Sequence, residues 1–266
     1  MAMMFKQADS ANGGGQISAR LALLRDEIVR RQALAFQPRP AGSRGPAWER
    51  FLGELSTPVE HWQAMRKARP ATELAGASRP VMLLPGFGTH PVRMKPLARV
   101  LEAAGHRVSD WGLGFNFGPS EERFERLCER VVAMARKEGE PLVLVGWSLG
   151  GIFAREVARL HPEAVRLVIT MGTPFSGDRR ANNAWRAYQL IAGHSVDDPP
   201  VGRDMAVKPP VPTVALWSAR DGIISPRSAC GRKGERDLAV PMRCTHLGFA
   251  AHPDVAATVG RLIDAY

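Results

Sequence analysis

Short apolar runs alternate with segments of helical periodicity along residues 80–265. The apolar runs predict six strands, at residues 80–86, 106–113, 141–146, 165–172, 211–218 and 238–246. The periodic segments predict helices at residues 93–104, 120–138, 149–160 and 253–265. Strands that are apolar throughout are typical of a parallel sheet that is covered on both faces. The alternation therefore predicts an α/β fold with a mostly parallel, doubly wound sheet.

The N-terminal part of the chain has a different pattern. Residues 1–15 are polar and rich in glycine, so we expect a disordered tail. Residues 16–79 predict a helical extension, with an amphipathic helix over 17–36 and a second helical region over 46–68. We expect this extension to pack on the main domain; contact with a second copy in a homodimer, or with a membrane surface, is the alternative.

An insertion interrupts the alternation between the fourth and fifth predicted strands, at about residues 177–210. It contains one helical pattern, residues 182–192, followed by a proline-rich loop. In open α/β sheets an insertion at this place lies above the carboxyl ends of the strands, where ligands bind. We predict a small helical cap or lid; a long structural connection is the alternative.

Composition places the chain among ordinary globular proteins. It has 266 residues, 45% of them hydrophobic and 23% charged, which is enough for one large α/β domain with a substantial core. No apolar run approaches the roughly 18 residues of a transmembrane segment. The first residues contain no continuous apolar stretch of the kind that a signal peptide needs. We therefore expect a cytoplasmic protein.

Charge and cysteine usage exclude two further classes. The formal net charge is +10, but the arginines are spread along the chain without a dense basic run, so we expect no nucleic-acid partner. Weak attraction to anionic surfaces or substrates fits this charge better. Three cysteines, Cys128, Cys230 and Cys244, argue against a disulfide framework. A bridge between Cys230 and Cys244 stays open, although a reducing compartment disfavours it.

A serine lies where the third predicted strand gives way to a helix, in the stretch Gly146-Trp147-Ser148-Leu149-Gly150. Glycines around such a serine allow strand and helix to pass close to a strained turn, which projects the hydroxyl above the sheet. The start of the next helix places backbone N–H groups beside it, where an oxyanion would develop. The context therefore favours a nucleophile over an ordinary glycine-rich turn.

A serine nucleophile needs a base and an orienting acid, and strand ends are the places to look for them. Asp221 follows the fifth predicted strand and His246 follows the sixth. The chain order Ser148, Asp221, His246 is the order of α/β-hydrolase triads. His252 is the weaker candidate for the base, and the weaker candidates for the acid are Asp204 and Asp237.

The oxyanion hole is predicted from two backbone N–H groups, those of Phe87, in the loop after the first strand, and of Leu149. Further candidate residues could bind substrate. They lie near the turn of Ser148 (the elbow), near the loop after the first strand (the oxyanion loop) and on or near the cap: Trp147, His90, Phe175, Trp185 and Tyr188. Aromatic residues at helical spacing are often only core, so this pocket assignment has a packing alternative.

Metal chemistry is not predicted. His194, Asp197 and Asp198 are close in sequence, but further ligands at a sensible spacing are lacking, so a solvated loop is the better interpretation. The serine mechanism requires neither a metal nor a cofactor, and we expect none.

Six motifs together resemble one known family: PGFGT, WGLGFNFGP, GWSLGG, MGTPFSG, ARDGII and CTHLGF. They are similar to motifs of the α/β-hydrolase superfamily, in its bacterial esterase/lipase-like branch, over about residues 80–265. The resemblance implies the α/β-hydrolase fold with Ser148 as nucleophile, His246 as base and Asp221 as orienting acid. Pro85 stands where many lipases have His-Gly, which removes a histidine from the oxyanion loop.

The predicted function is hydrolysis of a small-molecule acyl ester through an acyl-enzyme intermediate. The same fold hosts other acyl-transfer chemistry, so a thioesterase or acyltransferase acting on acyl-CoA or acyl-carrier substrates is the first alternative. The second is a non-catalytic binding module of hydrolase-like fold. That alternative predicts a damaged triad, whereas all three residue types are present here.

Overall fold

The computed structural model describes residues 11–67 and 75–266. Its centre is a six-stranded sheet in the order β2-β1-β3-β4-β5-β6, and every neighbouring pair is parallel. The strands are β1 (Pro80–Leu84), β2 (Arg107–Asp110), β3 (Leu142–Trp147), β4 (Val165–Met171), β5 (Thr213–Ser218) and β6 (Leu238–Met242). The predicted doubly wound sheet is confirmed, and each predicted strand is present.

The helices are α1 (Ala11–Ala35), α2 (Trp48–Gly53), α3 (Thr57–Lys67), α4 (Lys95–Ala103), α5 (Glu121–Glu138), α6 (Leu149–Leu160), α7 (Trp185–Ala192), α8 (Pro226–Cys230) and α9 (Pro253–Ala265). Short 3₁₀ turns at Glu54–Ser56, Pro91–Met94, Pro162–Ala164 and Leu247–Ala250 join some of them to their neighbours. The short helix α8 was not predicted from the sequence. Within the described residues, no helix is long and apolar enough to cross a membrane.

Two large apolar clusters, one on each face of the sheet, form most of the core, and a small third cluster consists of Ile152, Phe175 and Ala215. Alternate residues of β1 enter opposite clusters, Val81 and Leu83 on one face and Met82 and Leu84 on the other. Helices α4 and α9 cover the first face, and α5 and α6 cover the second. All residues of β3 are buried, as a central strand with two covered faces requires. The sheet is therefore a rigid platform for the loops at its carboxyl edge.

The N-terminal extension differs in detail from its prediction. Of the expected disordered tail, residues 1–10 lie outside the described residues, whereas residues 11–15 belong to α1. Helical hydrogen bonds propagate beyond an apolar stripe, which explains the earlier start. The predicted helical region over 46–68 is divided by the turn Glu54–Ser56. Pro58 has no N–H for the carbonyl of Glu54, so the α-helical ladder is interrupted there.

The extension packs on the main domain at two places. Helix α1 runs beside α7, where the Arg31 guanidinium donates to the Ile191 carbonyl at 2.5 Å and the Gln189 amide donates to the Leu34 carbonyl. The second helical region packs on the loops that follow β5 and β6. Both contacts lie at the carboxyl edge of the sheet, on the same side as Ser148.

The insertion after β4 lies over Ser148, since residues of both line one cavity. Arg155 of α6 anchors its far end: the guanidinium donates to the carbonyls of Met205 at 2.9 Å, Ala206 at 3.3 Å and Val207 at 3.1 Å. Arg179 anchors its middle by donating to the carbonyls of Val196 and Gly202, both at 3.1 Å. Arg155 thus ties the insertion to the domain, whereas Arg179, itself a residue of the insertion, holds parts of the insertion together.

Candidate active site

Ser148 occupies a strained turn between β3 and α6. Its φ of 53° is the only positive φ at a non-glycine residue among those that the structure describes. Such a conformation costs on the order of 1–3 kcal/mol and persists only where its surroundings enforce it. The Ser148 N–H donates to the Met171 carbonyl at 2.8 Å, and its carbonyl accepts from the Thr173 hydroxyl at 2.9 Å. Hydrogen bonds on both sides therefore hold the strained serine.

The glycines of this turn are required because neighbouring backbone and side-chain atoms leave no space for a Cβ. A Cβ at Gly146 would overlap the backbone of Gly150 and Gly151, and a Cβ at Gly150 would overlap the Leu84 carbonyl. At Gly151 a Cβ would overlap the side chain of Thr173. Helix α6 consequently begins directly against the ends of β1 and β3, with Ser148 at its N-terminus.

Asp221 and His246 form a buried pair on two neighbouring loops. The distance from His246 Nδ1 to Asp221 Oδ2 is 2.8 Å. The other carboxylate oxygen, Oδ1, accepts from the backbone N–H of Ile223 at 2.9 Å and of Ile224 at 2.7 Å. The backbone thus holds the carboxylate, which orients the imidazole and directs its opposite nitrogen, Nε2, away from Asp221.

Electrostatics favour a protonated imidazole at this pair. Burial by itself lowers the pKa of His246, but the charge of Asp221, the hydrogen bond to it and the charge of Glu54 together raise that pKa above its usual value. An imidazole with a raised pKa accepts a proton readily when it starts neutral. His246 therefore has the environment of a general base stabilised in its charged form.

The turn of Ser148 and the pair are joined by direct contacts. The Trp147 indole N–H donates to the His246 carbonyl at 3.1 Å. Gly172 lies beside the pair, where an added Cβ would be 3.0 Å from His246 Nδ1 and 3.1 Å from Asp221 Oδ2. Met171, whose carbonyl binds the Ser148 N–H, directly precedes Gly172. The ends of β3, β4, β5 and β6 thus converge on one site.

The loop after β1 lies on the other side of Ser148. A Cβ at Gly86 would be 3.3 Å from the Ser148 Cβ, and Phe87 follows directly. The fully buried Asn116 holds this loop: its amide donates to the Pro85 carbonyl at 2.8 Å, and its own carbonyl accepts from the Gly88 N–H at 2.7 Å. Leu149 is the first residue of α6, so its N–H has no partner within the helix.

A cavity of about 650 Å³, which includes space open to solvent, lies above Ser148. Of the predicted pocket residues, Trp185 and Tyr188 line it, together with Phe87 and Leu149. The lining is mostly apolar and also includes Ile152, Val201 and Met205. The cavity therefore places an apolar compartment beside the serine hydroxyl.

The other predicted pocket residues lie elsewhere. Trp147 is buried beneath the elbow in the core cluster of β3. Phe175 is buried under the Arg155 guanidinium, 4.2 Å from its ring centre. The His90 imidazole accepts from the Val92 N–H at 3.2 Å and packs on Phe115, 5.1 Å away between ring centres. None of these three lines the cavity above Ser148.

Comparisons with known proteins agree with this architecture. A family model described as alpha/beta hydrolase fold matches residues 79–192. The chain has the α/β-hydrolase fold. The crystal structure of the pyrethroid hydrolase PytH is similar to this chain at a TM-score of 0.50 and 16% identity, over 71% of this chain and 98% of that one.

Two curated proteins are similar in sequence over part of the chain. Both are named pimeloyl-[acyl-carrier protein] methyl ester esterase. The one from Klebsiella pneumoniae is 35% identical over 68 residues, 26% of this chain and 25% of its own length. The one from Vibrio parahaemolyticus is 28% identical over 131 residues, 48% of this chain and 46% of its own length. The chain therefore spans about a quarter to a half of the length of these two relatives.

The weaker sequence candidates for the base, the acid and a metal site have structural partners. His252 caps α9, with its Nδ1 accepting from the Asp254 N–H at 3.2 Å. Asp237 accepts from the Thr213 N–H at 2.8 Å and pairs with Lys208 at 3.1 Å. Asp197 pairs with Arg180 at 2.6 Å. Cys230 and Cys244 are free thiols.

Two residues that support the site, Asn116 and Glu54, were not predicted from the sequence. Asn116 lies within the motif WGLGFNFGP, and its position between a glycine-rich strand end and Pro119 was the available signal. Glu54 accepts backbone hydrogen bonds from both loops of the His246–Asp221 pair. Nothing local in the sequence marks Glu54, because its partners lie 168 or more positions away along the chain.

Proposed function

We propose that this protein is a serine hydrolase that cleaves carboxylic esters with the triad Ser148, His246 and Asp221. The observation that carries the proposal is the strained Ser148 at the mouth of an apolar cavity, joined through Trp147 to the buried His246–Asp221 pair. The superfamily and the two esterase-named relatives support the same reaction class. In this proposal residues 80–266 form the catalytic domain, with a cap at about residues 177–210.

In the proposed mechanism, His246 takes the hydroxyl proton as Ser148 Oγ bonds to the ester carbonyl carbon. The carbonyl electron pair moves to its oxygen, and the resulting oxyanion is stabilised by the N–H groups of Phe87 and Leu149. Collapse restores the C=O bond and breaks the bond to the alcohol, which leaves with the proton from His246. Water, deprotonated by His246, then attacks the acyl-enzyme and releases the acid and Ser148. Asp221 stabilises the charged imidazole throughout.

The cavity supports an apolar acyl group as substrate. Its walls are formed by side chains such as Ile152, Trp185, Val201 and Met205. Arg179 also reaches the lining, but its guanidinium donates to the carbonyls of Val196, Gly202 and Arg203, so three of its five N–H groups already have partners in the insertion. Contact with the walls would hold an alkyl or aryl chain with its carbonyl at Ser148.

Thioester hydrolysis or acyl transfer is the second candidate. The net charge of +10 favours an anionic substrate such as an acyl-CoA, or an acyl group on a carrier protein. The two curated relatives are named for a methyl ester whose acyl group is attached to an acyl-carrier protein. Comparison of kcat/KM for an acyl-CoA and for a simple ester of the same acyl chain would rank the two candidates.

The test is hydrolysis of p-nitrophenyl esters from acetate to long acyl chains by wild type, Ser148→Ala and Ser78→Ala. Ser78 is an exposed serine at the opposite edge of the sheet, where its hydroxyl donates to the Gly105 carbonyl. We expect Ser148→Ala to lose about 10³-fold or more in kcat, and Ser78→Ala to retain it. Equal activity of wild type and Ser148→Ala would contradict the proposed function.

A further inference from the structure

Glu54, in the 3₁₀ turn between α2 and α3, reaches from the N-terminal extension into the candidate active site. Its side chain is buried, with the residue 6% exposed. One oxygen, Oε1, accepts from the Gly222 N–H and from the His246 N–H, both at 2.8 Å. The other, Oε2, accepts from the Leu247 N–H at 2.9 Å. A single carboxylate therefore bridges the residue after Asp221 and the backbone of His246.

A second carboxylate of the extension holds the residue before His246. Glu60 Oε2 accepts from the Thr245 N–H at 2.9 Å and from the Thr245 hydroxyl at 2.8 Å. Its Oε1 pairs with Arg220, which precedes Asp221, at 3.1 Å. Both loops of the pair are thus tied to the extension at neighbouring residues.

Packing at Gly222 shows how closely the extension fits these loops. A Cβ at Gly222 would overlap the carbonyl of Arg50, and it would lie 2.8 Å from the Cα of Phe51. The backbone of α2 therefore occupies the space next to the loop that carries Asp221. The position of this loop depends on a segment that lies outside the predicted catalytic domain.

The chemistry of the Glu54 contacts calls for a carboxylate. All three partners are N–H donors, and an ionised carboxylate only accepts, so every contact is satisfied. Hydrogen bonds to a charged acceptor are about twice as strong as neutral ones, which helps to offset the cost of burying the charge. A glutamine would turn N–H groups toward at least one of these donors.

We propose that Glu54 is a positioning residue for the triad: by bridging Gly222 and His246 it sets the separation and orientation of the Asp221–His246 pair. This inference rests on the proposed function. It assigns the N-terminal extension a role in catalysis in addition to packing.

The charge of Glu54 provides a readout that simple packing would not alter. The charged groups that act on His246 are Asp221, from the loop after β5, and Glu54, from the extension. Glu60 and Arg220 pair with each other beside Thr245. Both Asp221 and Glu54 raise the pKa of His246, so removal of the Glu54 charge should lower it. The imidazole must be neutral to act as a base. With a lower pKa it is neutral at lower pH, so a variant without the Glu54 charge should be active at lower pH than wild type.

The experiment compares kcat, KM and the pH dependence of kcat/KM for wild type, Glu54→Gln, Glu60→Gln and Glu49→Gln, with p-nitrophenyl butyrate as substrate. Glu49 is an exposed carboxylate of α2, so its variant should match wild type. For Glu54→Gln we expect kcat to fall about 10- to 100-fold with KM little changed, because small misplacements of catalytic groups have effects of this size. The acidic limb of its kcat/KM–pH profile, where activity rises as His246 loses its proton, should move to lower pH. The acidic limb of Glu60→Gln should stay at the wild-type position.

A second measurement does not depend on turnover. The His246 imidazole is titrated by NMR in ¹⁵N-histidine-labelled protein, with His246→Gln used to assign the resonance. Glu54→Gln should lower the pKa of His246 and shift its Nδ1–H resonance, and Glu49→Gln should leave both unchanged. Failure of the proposed ester hydrolysis would be seen separately, as equal ester turnover by wild type and Ser148→Ala. The NMR results would support the positioning role of Glu54 even in that case.

A variant that keeps the charge covers the case in which Glu54→Gln does not fold. Glu54→Asp retains the carboxylate but shortens its reach by one methylene, so kcat should fall while the acidic limb stays near its wild-type position. The proposal would be overturned by a folded Glu54→Gln with wild-type kcat, acidic limb and Nδ1–H resonance. A wild-type kcat for Glu54→Asp would overturn it when Glu54→Gln does not fold.

Discussion

The indole N–H of Trp147 donates to the carbonyl of His246 at 3.1 Å. These two residues belong to different loops, since Trp147 ends β3 just before Ser148 and His246 follows β6. The bond therefore connects the elbow of the proposed nucleophile to the turn of the proposed base. Trp147, which the sequence suggested as a substrate contact, instead supports the geometry of the site from below.

Replacement of Trp147 by phenylalanine tests this connection. The ring stays apolar and planar, but the N–H donor is lost and a small space opens beneath the elbow. We expect a loss of about 1–3 kcal/mol in the free energy of unfolding and a fall of about 10-fold or more in kcat. Urea unfolding and ester turnover measure the two effects. Unchanged kcat in a folded Trp147→Phe would show that the bond does not align His246.

The pH dependence of the wild type follows from His246. Its pKa lies above the ordinary value of 6.5, because Asp221 and Glu54 outweigh the effect of burial. Because the neutral imidazole is the proposed base, we expect kcat/KM to rise with pH and to reach half of its plateau above pH 6.5. A midpoint below that value, measured with an ester whose leaving group does not titrate in the range, would contradict the assignment.

The same shift has a consequence for stability, with its sign set by proton binding. The folded protein holds the His246 proton more tightly than the unfolded chain, because the folded-state pKa is raised. This histidine therefore contributes stability that is fully present below its unfolded pKa and is lost as pH rises through its folded pKa. Urea unfolding of wild type and His246→Gln, compared between the unfolded-state and the folded-state pKa of His246, isolates the contribution of this histidine to the free energy of unfolding.

Arg155 should be essential for the end of the insertion. It is buried, and its guanidinium binds the carbonyls of Met205, Ala206, Val207 and Glu235, while burial lowers its pKa to about 10. Arg155→Met leaves these carbonyls without their donor. We therefore expect the free energy of unfolding to fall by about 3 kcal/mol or more, and proteolysis near Met205 to become faster. The matched control is Arg203→Met, within the insertion, where an exposed pair with Asp198 is lost. The control should lose less than about 1 kcal/mol; equal losses would refute the role of Arg155.

Strand ends explain why so much of the site was predictable. Apolar runs located all six strands, and a parallel sheet brings their carboxyl ends to one edge, so Ser148, Asp221 and His246 were expected to meet there. The spacing of glycines around Ser148 indicated the close passage of α6, which the overlaps at Gly146 and Gly150 explain.

Side-chain direction explains why predicted pocket residues lie away from the cavity above Ser148. Trp147 shares a face of β3 with Val143 and Val145, so the alternation along the strand sends it into the core rather than the cavity. Phe175 lies in a loop, where no periodicity indicates direction, and it packs under Arg155. Glu54 was not predicted because its role depends on loops that are distant along the chain.

Covalent labelling is the most direct test of Ser148 as the nucleophile. Wild-type protein is treated with an alkyl fluorophosphonate, whose fluoride is displaced by an activated serine oxygen, and the adduct is located by peptide mass spectrometry. We expect a phosphonyl group on Ser148, formed at a rate that falls as pH drops through the pKa of His246. An absence of labelling at Ser148 in folded protein, or labelling that His246→Gln leaves equally fast, would contradict it.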